Sequence, residues 1–480
     1  MSEGSIVTHL LDAARAYDRT GALEEAAAGY EAAVVEAERL EDSSVQAEAL
    51  RRLAVTRHRL REVPAAHSLA ERSCEVAVKA GSAVLLAEGL NTLGGFHLVE
   101  EQFKQAQEKF RQALQHSAGG SQLRGRIEQN LGTVRSSQGD HTEAMVHYQQ
   151  SLAAFLAAGD EHSCAIAYHN LGVVSQERRS WVDAEAHFRL ALSAADRTGD
   201  THLKGLVLLN RSEALVALGR LPEARRAAEA ATGIFDELRA SAELGDAYRV
   251  LGVILRDSGS LKLAQARLRL AAELSATAGS AAGEAEALRD LAVTLALAGE
   301  VEEAVKLLVV STRVLGRLKP SLQPEAVMEG NYPAAVRAWG ELMRVRDLSE
   351  LEHAERVGAA AAAVACELGW DAPAQARVRM AAFLHGVSPD LIEAAELPWG
   401  LVESRRACGD CLGHPDRQDS AADLPPEAQM IGIVDRYDYF RMPLPAGRGL
   451  SDRDALSQME THRSSWDAGI YAAFLRSRAA

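Results

Sequence analysis

Aromatic residues make up only 5% of this 480-residue sequence, which leaves few large side chains to fill one deep core. Long apolar runs are missing as well. A membrane span needs roughly 20 consecutive apolar residues, and the longest candidate, residues 358–368, is short and alanine-rich. Cysteine is scarce: five, irregularly spaced, do not form a disulfide framework. Basic charge is in deficit, with 52 Lys and Arg against 67 Asp and Glu, a net charge of −15. Nucleic-acid binding needs a concentrated basic face, so that class is set aside. No basic segment followed by an apolar run opens the chain, so no secretory leader is expected and a cytoplasmic location is. There is also no GxxxxGK[ST] loop and no basic helix-turn-helix, which argues against an ATPase or a DNA-binding protein.

What the sequence has instead is a repeat. Residues 130–152, NLGTVRSSQGDHTEAMVHYQQSL, read as two short helices around a turn, and residues 170–192, NLGVVSQERRSWVDAEAHFRLAL, repeat the pattern 40 residues later. Aligned on a small residue of the first helix, the units fall at Ala14, Ala54, Gly94, Gly132, Gly172, Ser212, Gly252 and Ala292. Twelve residues after each stands an alanine: Ala26, Ala66, Ala106, Ala144, Ala184, Ala224, Ala264 and Ala304. A larger side chain there would push paired helices apart. Four residues further on the column is bulky in most units (Tyr30, Phe110, Tyr148, Phe188, Leu268 and Leu308) and shrinks to Ala70 and Ala228 in the others. Gly21, Gly139, Gly219, Gly259 and Gly299 fall at the helix–helix turn. Such a unit cannot bury its apolar face alone and must stack on copies of itself.

This spacing resembles the tetratricopeptide repeat family over about residues 5–318, with a period longer than the usual 34. The resemblance implies an all-α superhelix of about eight helix pairs, its first helices lining a groove that takes a protein or peptide. At 100° per residue, positions two and three before the small residue point to that groove. They are Asn130, Asn170 and Asn210 in one register, and Gln129, His169, Arg249 and Arg289 in the other. A row of asparagines offers donors and acceptors to an extended peptide backbone.

Pro320 and Pro324 end the repeat rhythm, so residues 1–318 are read as the array, 319–334 as a linker and 335–480 as a second helical domain. That domain carries DLSELEHAERVGAAAAAVACELGW from Asp347, MAAFLHGV from Met380 and LPPEAQMIGIVDRYDYF from Leu424. These stretches resemble the HD-GYP family of the HD superfamily, phosphodiesterases that hydrolyse cyclic di-GMP. The resemblance implies metal-ligand positions at His353, His385, His414 and Asp435, with Asp438 following as in the family. It also shows what is gone. Gly386 stands where the family has its metal-bridging aspartate, no lysine follows at Ser388, and the GYP motif is absent near His414. A two-metal hydrolase needs that bridging carboxylate, so no catalytic residue is assigned and no cofactor is expected; the residual ligands could hold at most a single divalent metal. His353 and His385 are then read as hydrogen-bonded core histidines. Cys408, Cys411 and His414 have zinc-like spacing but lack an evident fourth ligand. Cys74, Cys164 and Cys366 are read as small core residues.

The expectation is a bacterial-type cytoplasmic signalling adaptor with a protein or peptide partner, no nucleic acid and no membrane. Self-association through end repeats is a further expectation. Its second domain is a catalytically degenerate HD-GYP-like interaction module. The alternatives are an atypical metal-dependent phosphodiesterase and a non-hydrolysing cyclic di-GMP sensor.

Overall fold

A computed structural model describes residues 3–117, 121–318, 323–397, 424–442, 449–461 and 463–479, and among them there is no strand. The chain divides into two compact units, Met1–Ala227 and Ala228–Ala480. The first holds α1 (Glu3–Thr20), α2 (Leu23–Arg39), α3 (Ser43–Arg59), α4 (Val63–Lys79), α5 (Ala83–Val99), α6 (Phe103–His116), α7 (Gln122–Ser137), α8 (His141–Ala158), α9 (Glu161–Glu177), α10 (Trp181–Thr198) and α11 (Thr201–Ala217). The boundary falls within α12 (Leu221–Glu237). In the second unit, α13 (Ser241–Asp257), α14 (Leu261–Thr277), α15 (Ala281–Leu297) and α16 (Val301–Leu318) complete the eight pairs.

The small-residue columns explain the packing. All eight alanines from Ala26 to Ala304 are 0% exposed, so each sits where its pair of helices comes closest. In four repeats the bulky residue of the second helix seats in the gap left by a glycine on the first. A β-carbon at Gly94 would lie 2.5 Å from Phe110 Cε1, one at Gly132 2.7 Å from Tyr148 Cε1, and one at Gly172 2.4 Å from Phe188 Cε1. Gly252 meets Leu268 in the same way, at 2.6 Å. In the second repeat both positions are alanine, Ala54 and Ala70, and both are buried.

Turn chemistry recurs with the same period. The position seven after the small residue is left-handed in every repeat. It is glycine five times, and Arg61, Glu101 and Arg179 otherwise, at φ 66, 58 and 57. A second left-handed column, which the sequence reading missed, closes the second helices at Glu41, Gly81, Gly159, Gly199, Arg239 and Gly279. In five of these repeats the next residue caps the following helix, as Asp160 accepts from the Ser163 amide and Asp200 from the Leu203 amide.

Eight further helices follow among the described residues: α17 (Pro324–Met328), α18 (Ala334–Arg346), α19 (Leu348–Glu367), α20 (Ala372–Phe383), α21 (Pro389–Ala394), α22 (Pro426–Arg441), α23 (Asp452–Glu460) and α24 (Ala468–Ala479). Helix α19 is their hub. Asp347 caps it, and its small buried residues Ala354, Gly358, Ala361 and Ala365 let α18, α20, α22 and α24 pack close around it. One apolar core runs from Leu268 and Ala285 of the array to Phe474 of α24. Val327 and Tyr332, inside the stretch read as a linker, are buried in that core. Arg379 ties the same stretch to α20 by donating to the Met328 carbonyl at 2.6 Å. One reading needs correction: Cys164 is buried and Cys74 half-buried, but Cys366 is exposed. It occupies the last turn of α19 on the side away from the small buried residues.

Two adjacent glycines of α5 separate packing from propensity. At Gly94 an added β-carbon collides with Phe110, whereas at Gly95 nothing lies within 4 Å. Gly94→Ala is expected to lower stability by about 1–3 kcal/mol through overpacking, and Gly95→Ala to raise it by about 0.5–1 kcal/mol through helix propensity. Urea unfolding of the two variants checks this. Equal shifts in the same direction would show that the ring does not occupy the glycine gap.

Candidate functional site

Several of the seven residues assigned to a groove are joined from repeat to repeat within each unit. Asn130 Nδ2 donates to Asn91 Oδ1 at 3.0 Å, Asn210 Nδ2 to His169 Nε2 at 2.8 Å, and Arg249 Nη1 to Asp290 Oδ2 at 3.2 Å. In each case a residue three before the small position meets one two before it in the next repeat. Arg289 donates to Asp290 at 3.0 Å and faces Glu341 at 3.8 Å. Asn170 engages His169, and Gln129 is half-buried. An asparagine has two donors and an acceptor, so a single pairing holds the side chain in place and leaves hydrogen-bonding capacity over. Asn91, Asp290 and Glu341 were absent from the sequence assignment. Asn91 and Asp290 stand at the same two registers, so the helix period already placed them there.

The second concentration of polar groups lies in the C-terminal helices. His353 on α19, His385 just after α20 and Asp435 on α22 converge. His353 Nε2 lies 3.0 Å from His385 Nε2 and 3.0 Å from Asp435 Oδ1, and His385 Nε2 lies 3.4 Å from the same oxygen. The other ring nitrogens are occupied. His353 Nδ1 donates to Asp438 Oδ2 at 2.7 Å, and His385 Nδ1 to the Ala382 carbonyl at 2.6 Å. Asp438 is in turn gripped by Arg356 through two bonds of 2.9 and 3.0 Å. These contacts leave both Nε2 lone pairs and a carboxylate oxygen turned towards one point. Three acceptors so close together require a positive charge among them. A proton on His353 supplies it, and hydrogen bonds from the ring to Asp435 and then Asp438 raise its pKa to about 9. The two histidines read as core residues are thus hydrogen-bonded within the bundle, and their partners include each other and an acid.

The spacing also suits a metal ion. Around an ion bound at about 2.1 Å, neighbouring ligand atoms lie roughly 3.0 Å apart in octahedral and roughly 3.4 Å apart in tetrahedral geometry. The donor set therefore fits one ion. It does not fit two, since Gly386 contributes no bridging carboxylate, and a β-carbon there would lie 3.7 Å from Glu350 Oε1. His414, with Cys408 and Cys411, lies outside the described residues. Beside the cluster opens a groove of about 570 Å³ lined by Arg356, Val434, Tyr437, Asp438, Arg441 and Arg478. No described helix is long and apolar enough to cross a membrane.

Stacked helix pairs with small residues at every crossing define an all-α helical-repeat protein. More particularly, the tetratricopeptide repeat family model matches residues 85–157 and 163–237, and these segments are tetratricopeptide repeats. No curated protein matches the chain. Among solved structures, aspartyl phosphate phosphatase F from Bacillus subtilis is 16% identical, covering 72% of this chain and 95% of its own, with a TM-score of 0.45. A Rap protein complexed with competence and sporulation factor is 14% identical over 72% of this chain and 98% of its own, TM-score 0.45. BtubC from P. vanneervenii is 22% identical over 45% of this chain and 92% of its own, TM-score 0.43.

His169 makes the polar face sensitive to acid. Burial pushes its pKa down to about 4, so the folded protein holds it neutral. Its unfolded pKa lies near 6.5. Between these values the unfolded chain binds the extra proton, so the stability held above pH 6.5 falls as pH drops towards 4. Wild type is expected to lose on the order of 1 kcal/mol more than His169→Gln between pH 7.5 and 5.5, measured by urea unfolding at both pH values. Identical losses would mean that His169 is open to solvent.

Proposed function

We propose that this chain is a signalling adaptor whose repeat array takes a protein or peptide partner. Its C-terminal helices form a degenerate HD-GYP-like module that holds one divalent ion instead of two. The array reading rests on the tetratricopeptide repeats and on a polar face whose side chains are set by pairing between repeats. The module reading rests above all on the convergence of His353, His385 and Asp435, with Asp438 and Ala382 orienting the two imidazoles. Backing of this kind turns a histidine into a better ligand by fixing its tautomer. An ion there would be bound by His353 Nε2, His385 Nε2 and an Asp435 oxygen, and would supply Lewis-acid or structural chemistry. A bridging carboxylate is what sets two ions at catalytic spacing, and Gly386 cannot provide it. The module is therefore read as an interaction or output element located in the cytoplasm.

A second reading keeps a nucleotide in play. Arg356, Arg441 and Arg478 stand around the groove next to the cluster, which suits a phosphate-bearing ligand such as cyclic di-GMP. Arg356 already binds Asp438, Arg441 binds Asp452 at 3.0 Å, and Arg478 lies over the Tyr437 ring, so a ligand would have to compete for them. Binding without hydrolysis would make the module a sensor, and turnover would make it an atypical phosphodiesterase.

Elemental analysis of the full-length protein before and after His385→Gln tests the ion. The expected result is loss of one equivalent of transition metal, and unchanged content would overturn the site. Asp438→Asn should weaken the same ion by about 10- to 100-fold through loss of the orienting bond, read by competition with a chromogenic chelator. Cyclic di-GMP turnover is expected neither in wild type nor in Gly386→Asp, where the new carboxylate would face Glu350; hydrolysis by either protein would restore the enzyme reading. For the array, a pull-down with Asn170→Ala and Asn210→Ala combined should lose the captured partner, and undiminished capture would remove this face from partner binding.

A further inference from the structure

A second convergence of metal-ligand side chains lies in the array, far in sequence from the C-terminal cluster. His58 closes α3, His67 opens α4, and His97 and Glu100 stand at the end of α5. One ring nitrogen of His67, one of His97 and a Glu100 oxygen all lie within 4.8 Å of one another. His67 Nε2 is 2.7 Å from Glu100 Oε1, and His58 Nε2 approaches the same oxygen at 3.7 Å. An ordinary histidine–carboxylate hydrogen bond accounts for the first contact. It does not account for two more imidazoles gathered around the same acid.

Each of these rings is held. His58 stacks flat on Phe96 with ring centres 4.3 Å apart, and its buried Nε2 has no hydrogen-bond partner. A buried ring nitrogen left unpaired is costly unless something binds it. His67 meets the same phenyl ring edge-on at 5.4 Å, and its ring centre lies 4.9 Å from that of His97. Gln102 Oε1 accepts from His97 Nδ1 at 2.7 Å, which leaves Nε2 as the lone-pair nitrogen. That is the carbonyl backing metal-bound imidazoles commonly have. Two imidazoles and one carboxylate make up a three-ligand set for a borderline divalent ion with a fourth position open, and His58 Nε2 stands 3.7 Å from the shared carboxylate oxygen.

We propose that His67, His97 and Glu100, with His58 beside them, form a site for a divalent transition ion of the zinc class, clamping the second repeat to the third. His58 and His67 belong to one repeat and His97 and Glu100 to the next, so an ion here would fix the step between them. The site is independent of the C-terminal cluster and of the adaptor reading. Neither the His58–His67 spacing nor HLVE from His97 is a motif, and only repeat stacking brings them together.

Cobalt(II) reports the site in the full-length protein. The background carries His353→Gln and His385→Gln, so the C-terminal cluster is silent. One equivalent of cobalt should bind with the intense visible bands of four-coordinate nitrogen–oxygen ligation, and zinc should displace it. The near-ultraviolet thiolate band that Cys408 and Cys411 would give should be missing. Adding His67→Gln and His97→Gln should abolish that equivalent, with the helical circular dichroism signal unchanged. His97→Ala alone, at a half-exposed helix end, should cut affinity at least tenfold and serves if the double variant does not fold. Absence of the visible bands, or bands that survive these substitutions, would overturn the proposal.

Discussion

Close contact between paired helices is the constraint on which the rest depends. It is made by subtraction: alanine at each crossing, and a glycine opposite Phe110, Tyr148, Phe188 and Leu268. The chain has few aromatics, and the array buries Phe110 and Phe188 completely within these gaps. A pair packed this closely has few alternative arrangements, so its neighbours inherit a defined position. The inter-repeat contacts of the polar face follow from this. Asn130 reaches Asn91 and Asn210 reaches His169, each across one step between neighbouring repeats.

The same economy of side chains shapes the C-terminal helices. Helix α19 presents alanine and glycine to four neighbours, and close approach brings His353, His385 and Asp435 from three segments to one point. That convergence has a cost, because three acceptors share a small volume. A proton on His353, held by Asp435 and Asp438, offsets it, while Asp438 and the Ala382 carbonyl fix which nitrogen faces inward. A core shared by the last repeats and these helices then makes the cluster part of the unit that begins at Ala228. The stretch around Val327 and Tyr332 belongs to that core, because its apolar side chains gain more by burial than by exposure.

Two metal-type clusters in one chain invite comparison. The C-terminal one has short ligand-to-ligand distances, two histidines and one acid, and a polar groove at its side. The one in the array is looser, richer in imidazole and set against a phenyl ring. On the proposed readings the two would do different work. One sits beside an opening that can admit a ligand, and the other sits at a seam between repeats.

The sequence by itself determined the helix pairs, because their signals are local and periodic. Small residues, turn glycines and the alanine column repeat every 40 residues, with one step of 38 between Gly94 and Gly132, and each position can be read from its neighbours in the same helix. It also placed Asn130, Asn170 and Asn210 on one face, and it flagged His353, His385 and Asp435 by likeness alone. Only the tertiary structure decided what these groups touch. His353 meets a histidine 32 residues away and an aspartate 85 residues away, and Asn210 finds its partner 41 residues back. The left-handed residues Arg61, Glu101 and Arg179 were likewise hidden, since an arginine or glutamate carries no turn signal of its own. Such contacts follow from how helices pack, and distance along the chain carries no trace of which nitrogen will face which oxygen.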